Sequence, residues 1–231
     1  MKFFYDMHIH SDLSPCGDAD MTPNNIVNMA NIKNLDIISV TDHNTTENLP
    51  AVCDLCKDAH MVFIPGIEVT TKEEVHVLCY FKELEGALEF GKIIYDSLPN
   101  IKNIPSIFGN QNIYNKSDEV ISILDKLLIN ASSYTLKDIC SMVVKYHGIA
   151  VPAHINKKSC SIIGVLGFIP TDLNLTFVEV HPCSTVGPEI IKDLNVLRNS
   201  DAHCLTDISE AVNFFELKRA DEIYNYLKIM K

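Results

Sequence analysis

Residues 3–10 read Phe3-Phe4-Tyr5-Asp6-Met7-His8-Ile9-His10. The aromatic and aliphatic run Phe3 to Ile9 predicts a strand. Side chains two apart on a strand face the same side, so His8 and His10 stand next to each other and can grip one metal ion. Polar residues follow at once, so the strand ends where chemistry begins. The pattern then recurs. Asp36 to Val40 predicts a strand ending in Thr41-Asp42-His43, and Ile67 to Val69 continues from Met61 to Ile64 across Pro65-Gly66 with Glu68 inside it. Val75 to Phe81, carrying His76, and Ile149 to His154 are strands too, as are Phe177 to Val180, Val196 to Asn199 and Val212 to Leu217.

Amphipathic stretches separate these runs. Thr22-Pro23 opens a helix, threonine as the cap and proline at the first helical position. Helices are expected at Leu49 to Ala59, Leu84 to Leu98, 119–130, 135–147 closed by Gly148, and 221–230, with one or two turns at Ser161 to Leu166. Residues 100–118, with five asparagines and a proline, predict an irregular excursion, partly ordered as a lid. Strand–helix alternation implies parallel strands with helices outside. In a β/α barrel the active site lies at the carboxyl ends of the strands, where the polar residues fall here.

The chain has 231 residues, 47% of them hydrophobic and 21% charged, with a net charge of −11. That length suits one domain, including an α/β barrel. The acidic balance disfavours duplex nucleic acid or an anionic membrane as the main partner, since both favour basic patches. It does not exclude a pocket made positive by bound metal. No apolar run approaches the ~18–20 residues needed to span a bilayer, and the first residues form no signal peptide. The expectation is a cytoplasmic protein with eight reduced cysteines.

Six of the nine histidines fall at or just after predicted strands: His8, His10, His43, His76, His154 and His203. Six buried histidines without partners would each cost stability. Asp12, Asp18, Asp42, Glu68 and Asp201 accompany them, and Asp201-x-His203 repeats the same-face geometry. Imidazole with carboxylate suits catalytic Zn, Mn or Fe better than a closed structural zinc site. The ligands are too many for one tetrahedral ion, so two or three are implied, a composition that favours hydrolysis at phosphorus.

The motifs Asp6-Met7-His8-Ile9-His10-Ser11, Val40-Thr41-Asp42-His43-Asn44, Pro65-Gly66-Ile67-Glu68, Ala153-His154 and Ser200-Asp201-Ala202-His203 resemble, in order, those of the PHP (polymerase and histidinol phosphatase) family. They span residues 6–203 of a single PHP domain taken as 1–231. The resemblance implies a distorted seven-stranded (β/α) barrel with a three-metal centre. It implies as ligands His8, His10, an early third residue, His43, Glu68, His76, His154, Asp201 and His203, with Glu68 bridging two ions. Family members commonly place Asp or His five to seven residues after the second histidine. Here Pro15, Cys16 and Gly17 stand there, and Asp18 is the expected ligand, with Asp20 and Cys16 as alternatives. Asp42 would orient an imidazole.

The implied reaction is phosphate-ester hydrolysis by a metal-activated hydroxide, with His8, His10, Glu68, Asp201 and His203 as the catalytic set. Lys157 stands where relatives often carry a phosphate-holding arginine, and Lys158 could substitute. His181 and Glu179 end a strand; each could serve the site or be structural. The substrate would be a small phosphorylated metabolite, a nucleotide or a nucleic-acid end. An amidohydrolase-type C–N hydrolase and a non-catalytic, metal-stabilised partner-binding module are the other readings. The amidohydrolase class often bridges its metals with a lysine, where this chain offers Glu68. Cys53-x-x-Cys56 with His60 lacks a second ligand pair and reads as helix, not as a zinc knuckle.

Overall fold

The computed structural model describes residues 1–182 and 184–229. Its first third is built of parallel units. Strand β1 (Lys2–Ile9) leads through α1 (Pro23–Ile32) to β2 (Ile37–Val40), and α2 (Leu49–Asp58) leads to β3 (Val62–Phe63). β1 pairs parallel with β2, and β2 with β3. Thr22 caps α1 by accepting from the Asn25 amide, with Pro23 in the first turn. This satisfies a donor that the helix itself leaves open.

The chirality-driven parallel scheme then breaks. β4 (Gly66–Thr70) and β5 (His76–Phe81) pair antiparallel. The reason is length: Thr71 donates its amide to the Val75 carbonyl at 2.9 Å, a tight turn, whereas a parallel crossover needs a dozen or more residues. After α3 (Leu84–Ser97) and the short α4 (Pro105–Phe108), β6 (Asn112–Tyr114) pairs antiparallel with β7 (Val120–Ile123). The helix expected over 119–130 is therefore corrected to a hairpin strand. Val120, Ile121 and Ile123 are β-branched, which favours extended backbone. The Asn115 side chain accepts from the Ser117 and Glu119 amides at 2.8 and 3.0 Å, closing the turn.

Helix α5 (Leu136–Lys145) opens with a capping box between Thr135 and Asp138 and ends before Gly148, which begins β8 (Gly148–Pro152). Gly148 does not close the helix; a Cβ there would lie 2.6 Å from Val143 and 2.8 Å from Phe81. β8 pairs antiparallel with β5. α6 (Ile162–Leu166), β9 (Phe177–Glu179), β10 (Asn195–Leu197), β11 (Phe214–Glu216) and α7 (Ile223–Ile229) complete the order. β9 and β10 are parallel, and β11 runs antiparallel along β1. Met230, expected in the last helix, lies outside the described residues.

Among the described residues the strands fall into four small sheets. The architecture is a mixed α/β fold, not a uniformly parallel barrel. Main-chain bonds link sheet to sheet where the polar motifs lie. His10 donates to the Ala202 carbonyl at 2.9 Å, Asn44 to Glu68 at 2.9 Å, and Ile155 to Glu179 at 2.9 Å. One apolar core, including Ile9, Val40, Val77, Phe81, Phe90 and Ile139, lies with the helices; a second gathers Met7, Ile37, Leu78, Tyr80, Val151, Phe177 and Leu197.

Candidate metal centre

The cluster assembles from strand ends. The β1–β2 register shifts between Asp6 and Ile9, a bulge that re-aims side chains at the point where β1 delivers His8. Asn44, His154 and Asp201 follow or close strands with φ of 55°, 30° and 56°. Such left-handed backbone is uncommon outside glycine and tends to gather at functional sites.

Glu68, on β4, sits at the centre and is fully buried. Its two oxygens face different histidines. Oε2 lies 3.4 Å from His8 Nε2, 3.3 Å from His10 Nε2 and 3.1 Å from His43 Nδ1. Oε1 lies 3.0 Å from His76 Nδ1 and 3.2 Å from His154 Nε2. Asp201 Oδ1 stands 3.2 Å from His8 Nε2 and 3.3 Å from His10 Nε2. Three sets of ligand atoms, each within 4.8 Å of one another, result: His8, His10, Glu68 and Asp201; His43, Glu68 and His76; and His10, Cys16, His43 and His203.

Charge follows geometry. Burial pushes the Glu68 carboxyl up, but His76, His8 and His43 outweigh it and hold it well below the usual range. Asp201 is likewise held low: His8 and His10 outweigh burial. Burial pulls His76 down, yet Glu68 raises it to about 10. His43 is driven well down by burial, and His203 to about 4, so these imidazoles stay neutral as metal ligation requires. Glu68 Oε2, His43 Nδ1 and His154 Nδ1 are buried without a hydrogen-bond partner. Buried polar atoms left without hydrogen bonds in such a cluster, Glu68 Oε2 and His43 Nδ1 above all, fit divalent cations well.

A supporting layer fixes the ligands. Glu179 meets His8 Nδ1 at 3.0 Å and accepts from the His154 amide at 2.8 Å and from Asn199 Nδ2 at 2.7 Å. Asp42 accepts from the Ser11 amide at 2.7 Å and from Ser14 Oγ at 2.6 Å, and Ser14 Oγ lies 3.2 Å from His10 Nδ1. Asp42 thus acts on His10 through a hydroxyl. Tyr114 donates to Asp12, and Asn48 ties Ser11 to Tyr114, which anchors the 100–118 excursion beside this layer.

The structure brings His8, His10, His43, Glu68, His76, His154, Asp201 and His203 together. It does not bring Asp18, which is exposed, belongs to none of the three sets, and serves the loop by donating its amide to the His203 carbonyl at 2.8 Å. Asp20 is exposed as well, and Cys16 takes the place beside the histidines. Lys157 donates to Asp201. With His181, Ser200 and His203 it lines a cleft of about 420 Å³ that continues past Asp201. Lys158 is exposed. Ser14, Asn48 and Asn199 had no sequence signal; each is a common polar residue whose role comes from distant partners. Cys53, Cys56 and His60 belong to none of the ligand sets.

A mixed α/β scaffold with a buried, multi-ligand His/Glu/Asp cluster defines a candidate metal-binding centre. The chain belongs to the PHP domain family, whose profile matches residues 6–152. Among solved structures it is similar to the lesion-specific endonuclease PfuEndoQ from Pyrococcus furiosus. The TM-score is 0.69 at 20% identity, over 99% of this chain and 56% of that one. The chain therefore spans just over half the endonuclease's length. Endonuclease Q has also been solved with a 27-mer duplex carrying an abasic lesion at its active site. A putative metal-dependent phosphoesterase from Bifidobacterium adolescentis aligns at TM-score 0.61 and 18% identity, over 97% of this chain and 95% of that one. An amidohydrolase from Chromobacterium violaceum with bound sulfate aligns at TM-score 0.61 and 16% identity, over 97% and 95%. No curated protein sequence matches the chain.

Proposed function

We propose that this protein is a metal-dependent phosphoesterase whose centre holds two or three divalent ions, Zn²⁺, Mn²⁺ or Fe²⁺. The observation that carries this reading is Glu68: one carboxylate, fully buried, whose separate oxygens face separate groups of imidazoles. A carboxylate in that position suits a bridge between ions. Ions bound there supply Lewis acidity and make water a nucleophile at neutral pH. His8, His10, Glu68 and Asp201 would hold the inner ion, and His76 and His154 a second with Glu68.

The chain's own groups do the rest. Lys157 keeps its charge, since Asp201 and Glu68 outweigh the effect of burial on it. Asp201 drawn to metal frees that ammonium for a phosphate oxygen at the cleft. His181 beside it is held below its usual pKa by burial and by Lys157, so it meets the substrate as a neutral hydrogen-bonding group.

We take the whole of 1–231 as one PHP domain. The backbone bonds between sheets, and the core shared by β1, β2, β5, β8, β9 and β10, support closure into a distorted seven-stranded barrel with α1, α2, α3 and α5 outside. The substrate we infer is a small phosphorylated metabolite, a nucleotide or a nucleic-acid end. The net charge of −11 disfavours stable duplex binding, while the likeness to a lesion-specific endonuclease makes oligonucleotides carrying an abasic lesion worth testing beside strand ends. A reducing, cytoplasmic compartment suits a site with thiols at its edge.

The test is phosphate release from a panel of mono- and diesters, including nucleotides and short oligonucleotides, with added Mn²⁺ or Zn²⁺. Release that disappears in Asp201→Ala supports the reading. Amide cleavage without phosphate release would move the chain to C–N hydrolysis, and bound metal without turnover of either kind to a binding role.

A further inference from the structure

One of the three ligand sets contains a sulfur, that of Cys16. The loop that follows β1 is built to deliver it. Ser14 donates its amide to the Ser11 carbonyl at 3.0 Å, Gly17 to Ser14 at 2.9 Å, and Asp18 to His203 at 2.8 Å. The loop is thus pinned at both ends, once to itself and once to a residue of the cluster. Gly17 permits the fold-back: a Cβ at that position would lie 2.3 Å from the Ser11 carbonyl oxygen. The result is that Cys16 offers its sulfur within 4.8 Å of ligand atoms from His10, His43 and His203. A second observation points to a ligand there. His43 is 95% buried and belongs both to the Cys16 set and to the Glu68 set, and its Nδ1, 3.1 Å from Glu68 Oε2, makes no hydrogen bond. The His10 and His203 rings stack with centroids 4.6 Å apart, so the two imidazoles pack side by side at this edge of the cluster.

We propose that Cys16 is a thiolate ligand to the outermost ion of the centre, and that it makes this one subsite selective for Zn²⁺ over Mn²⁺. It rests on the reading that the cluster binds divalent ions, but not on which bond is hydrolysed. Zinc forms bonds of roughly 2.3 Å to sulfur and roughly 2.1 Å to imidazole nitrogen in tetrahedral sites. Cys16, His43 and His203 with His10 or an open position supply that coordination. The inner groups carry the oxygens of Glu68 and Asp201, which suit Mn²⁺ as well as Zn²⁺. A thiolate is soft and disfavours Mn²⁺. Binding converts the Cys16 thiol to thiolate and releases its proton to solvent. The centre is therefore chemically uneven: an oxygen-rich inner part and a sulfur-capped outer part.

The experiment is stepwise loading of the metal-free protein with Co²⁺, following the near-ultraviolet thiolate-to-cobalt charge-transfer absorption and counting bound ions. Wild type is expected to show the band. Cys16→Ser should lose it together with one equivalent of metal, while Cys160→Ser, whose sulfur lies near His76, should keep it. Cys16→Asp should lack the band but recover the equivalent, and its preference for Zn²⁺ over Mn²⁺ at that subsite should be narrower than in wild type. Recovery in the aspartate variant separates ligand loss from misfolding. The proposal is overturned if Cys16→Ser keeps the band and the wild-type metal count, or if the band disappears only in Cys160→Ser. Wild type that binds no Co²⁺ overturns it together with the metal-centre reading. The cobalt band without phosphate release from any ester upholds the ligand and overturns only the phosphoesterase reading.

Discussion

Glu179 grips His8 by the nitrogen that points away from the cluster: both carboxylate oxygens lie 3.0 Å from His8 Nδ1, leaving Nε2 facing Glu68 and Asp201. The residues are 171 positions apart. A carboxylate on the far nitrogen fixes both the ring angle and the tautomer that presents a lone pair to metal. Glu179→Gln should therefore fold, keep its helix signal, and bind the inner ion some 10–100-fold more weakly. Metal titration against a competing chelator measures this, and unaltered affinity would remove Glu179 from the supporting layer.

Asp201 and His154 contribute directly to the cluster from two left-handed corners. Asp201→Ala and His154→Ala are expected to lose metal and turnover while remaining folded, since neither packs in an apolar core. Unchanged turnover in both would sink the site assignment.

On the proposed reading Lys157 would act on substrate and not on metal. Lys157→Ala should leave the metal count intact and raise KM by about tenfold, the loss of one charge-assisted contact of ~1.4 kcal/mol. Lys157→Arg should restore binding, because a guanidinium offers a phosphate a two-pronged contact. Initial rates across ester concentrations, with metal analysis alongside, decide this. A drop in metal content would instead make Lys157 a partner needed to hold Asp201 in place.

The metal-free protein should become less stable as pH rises through the alkaline range. Glu68 raises His76 from its ordinary value of 6.5 to about 10. The folded state then holds a proton that the unfolded chain has released, and stability falls with pH wherever that is so. The contribution is complete below about 6.5 and gone above about 10. His8, also raised, adds in the same direction. Thermal melts in chelator should show this slope, His76→Gln should shrink it, and metal loading should flatten it because ligated imidazoles are already unprotonated. A slope identical in wild type and His76→Gln would contradict the pairing.

Gly17→Ala should destabilise the protein by about 1–3 kcal/mol, the usual cost of forcing extra atoms into a packed site, and should pull Cys16 away from the histidines. Denaturant melts give the first effect and metal counting the second. A variant as stable as wild type would show that the loop has room to spare.

Much of this was readable in the chain. His8-x-His10 on a strand, and polar residues at recurring strand ends, gave the cluster, because the two-residue period leaves little choice about which side chains share a face. Thr22-Pro23 marked its helix for an equally local reason. What escaped depends on partners remote in sequence. Glu179 is open to either a site or a structural role until Asn199 and His8 close on it. Val120 to Ile123 read as helix because aliphatic residues cluster there on either period, and only pairing with β6 decides for a strand. Cys16 was passed over for Asp18 on chemical type alone, whereas the tight backbone around Gly17 turns the loop so that the cysteine faces inward and the aspartate faces water.

The ligand atoms are drawn from His8 near one end of the described chain to His203 near the other. A ribosome emitting this polypeptide exposes His8 and His10 long before it reaches Asp201 and His203. Until then the first imidazoles have neither Glu179 nor Asp201 to complete their shell. Cations met during synthesis would find loose, exchangeable ligands in place of a closed centre. Selection among metals at such a centre would wait until that later segment arrives, when sheet closure and ion capture would become a single event.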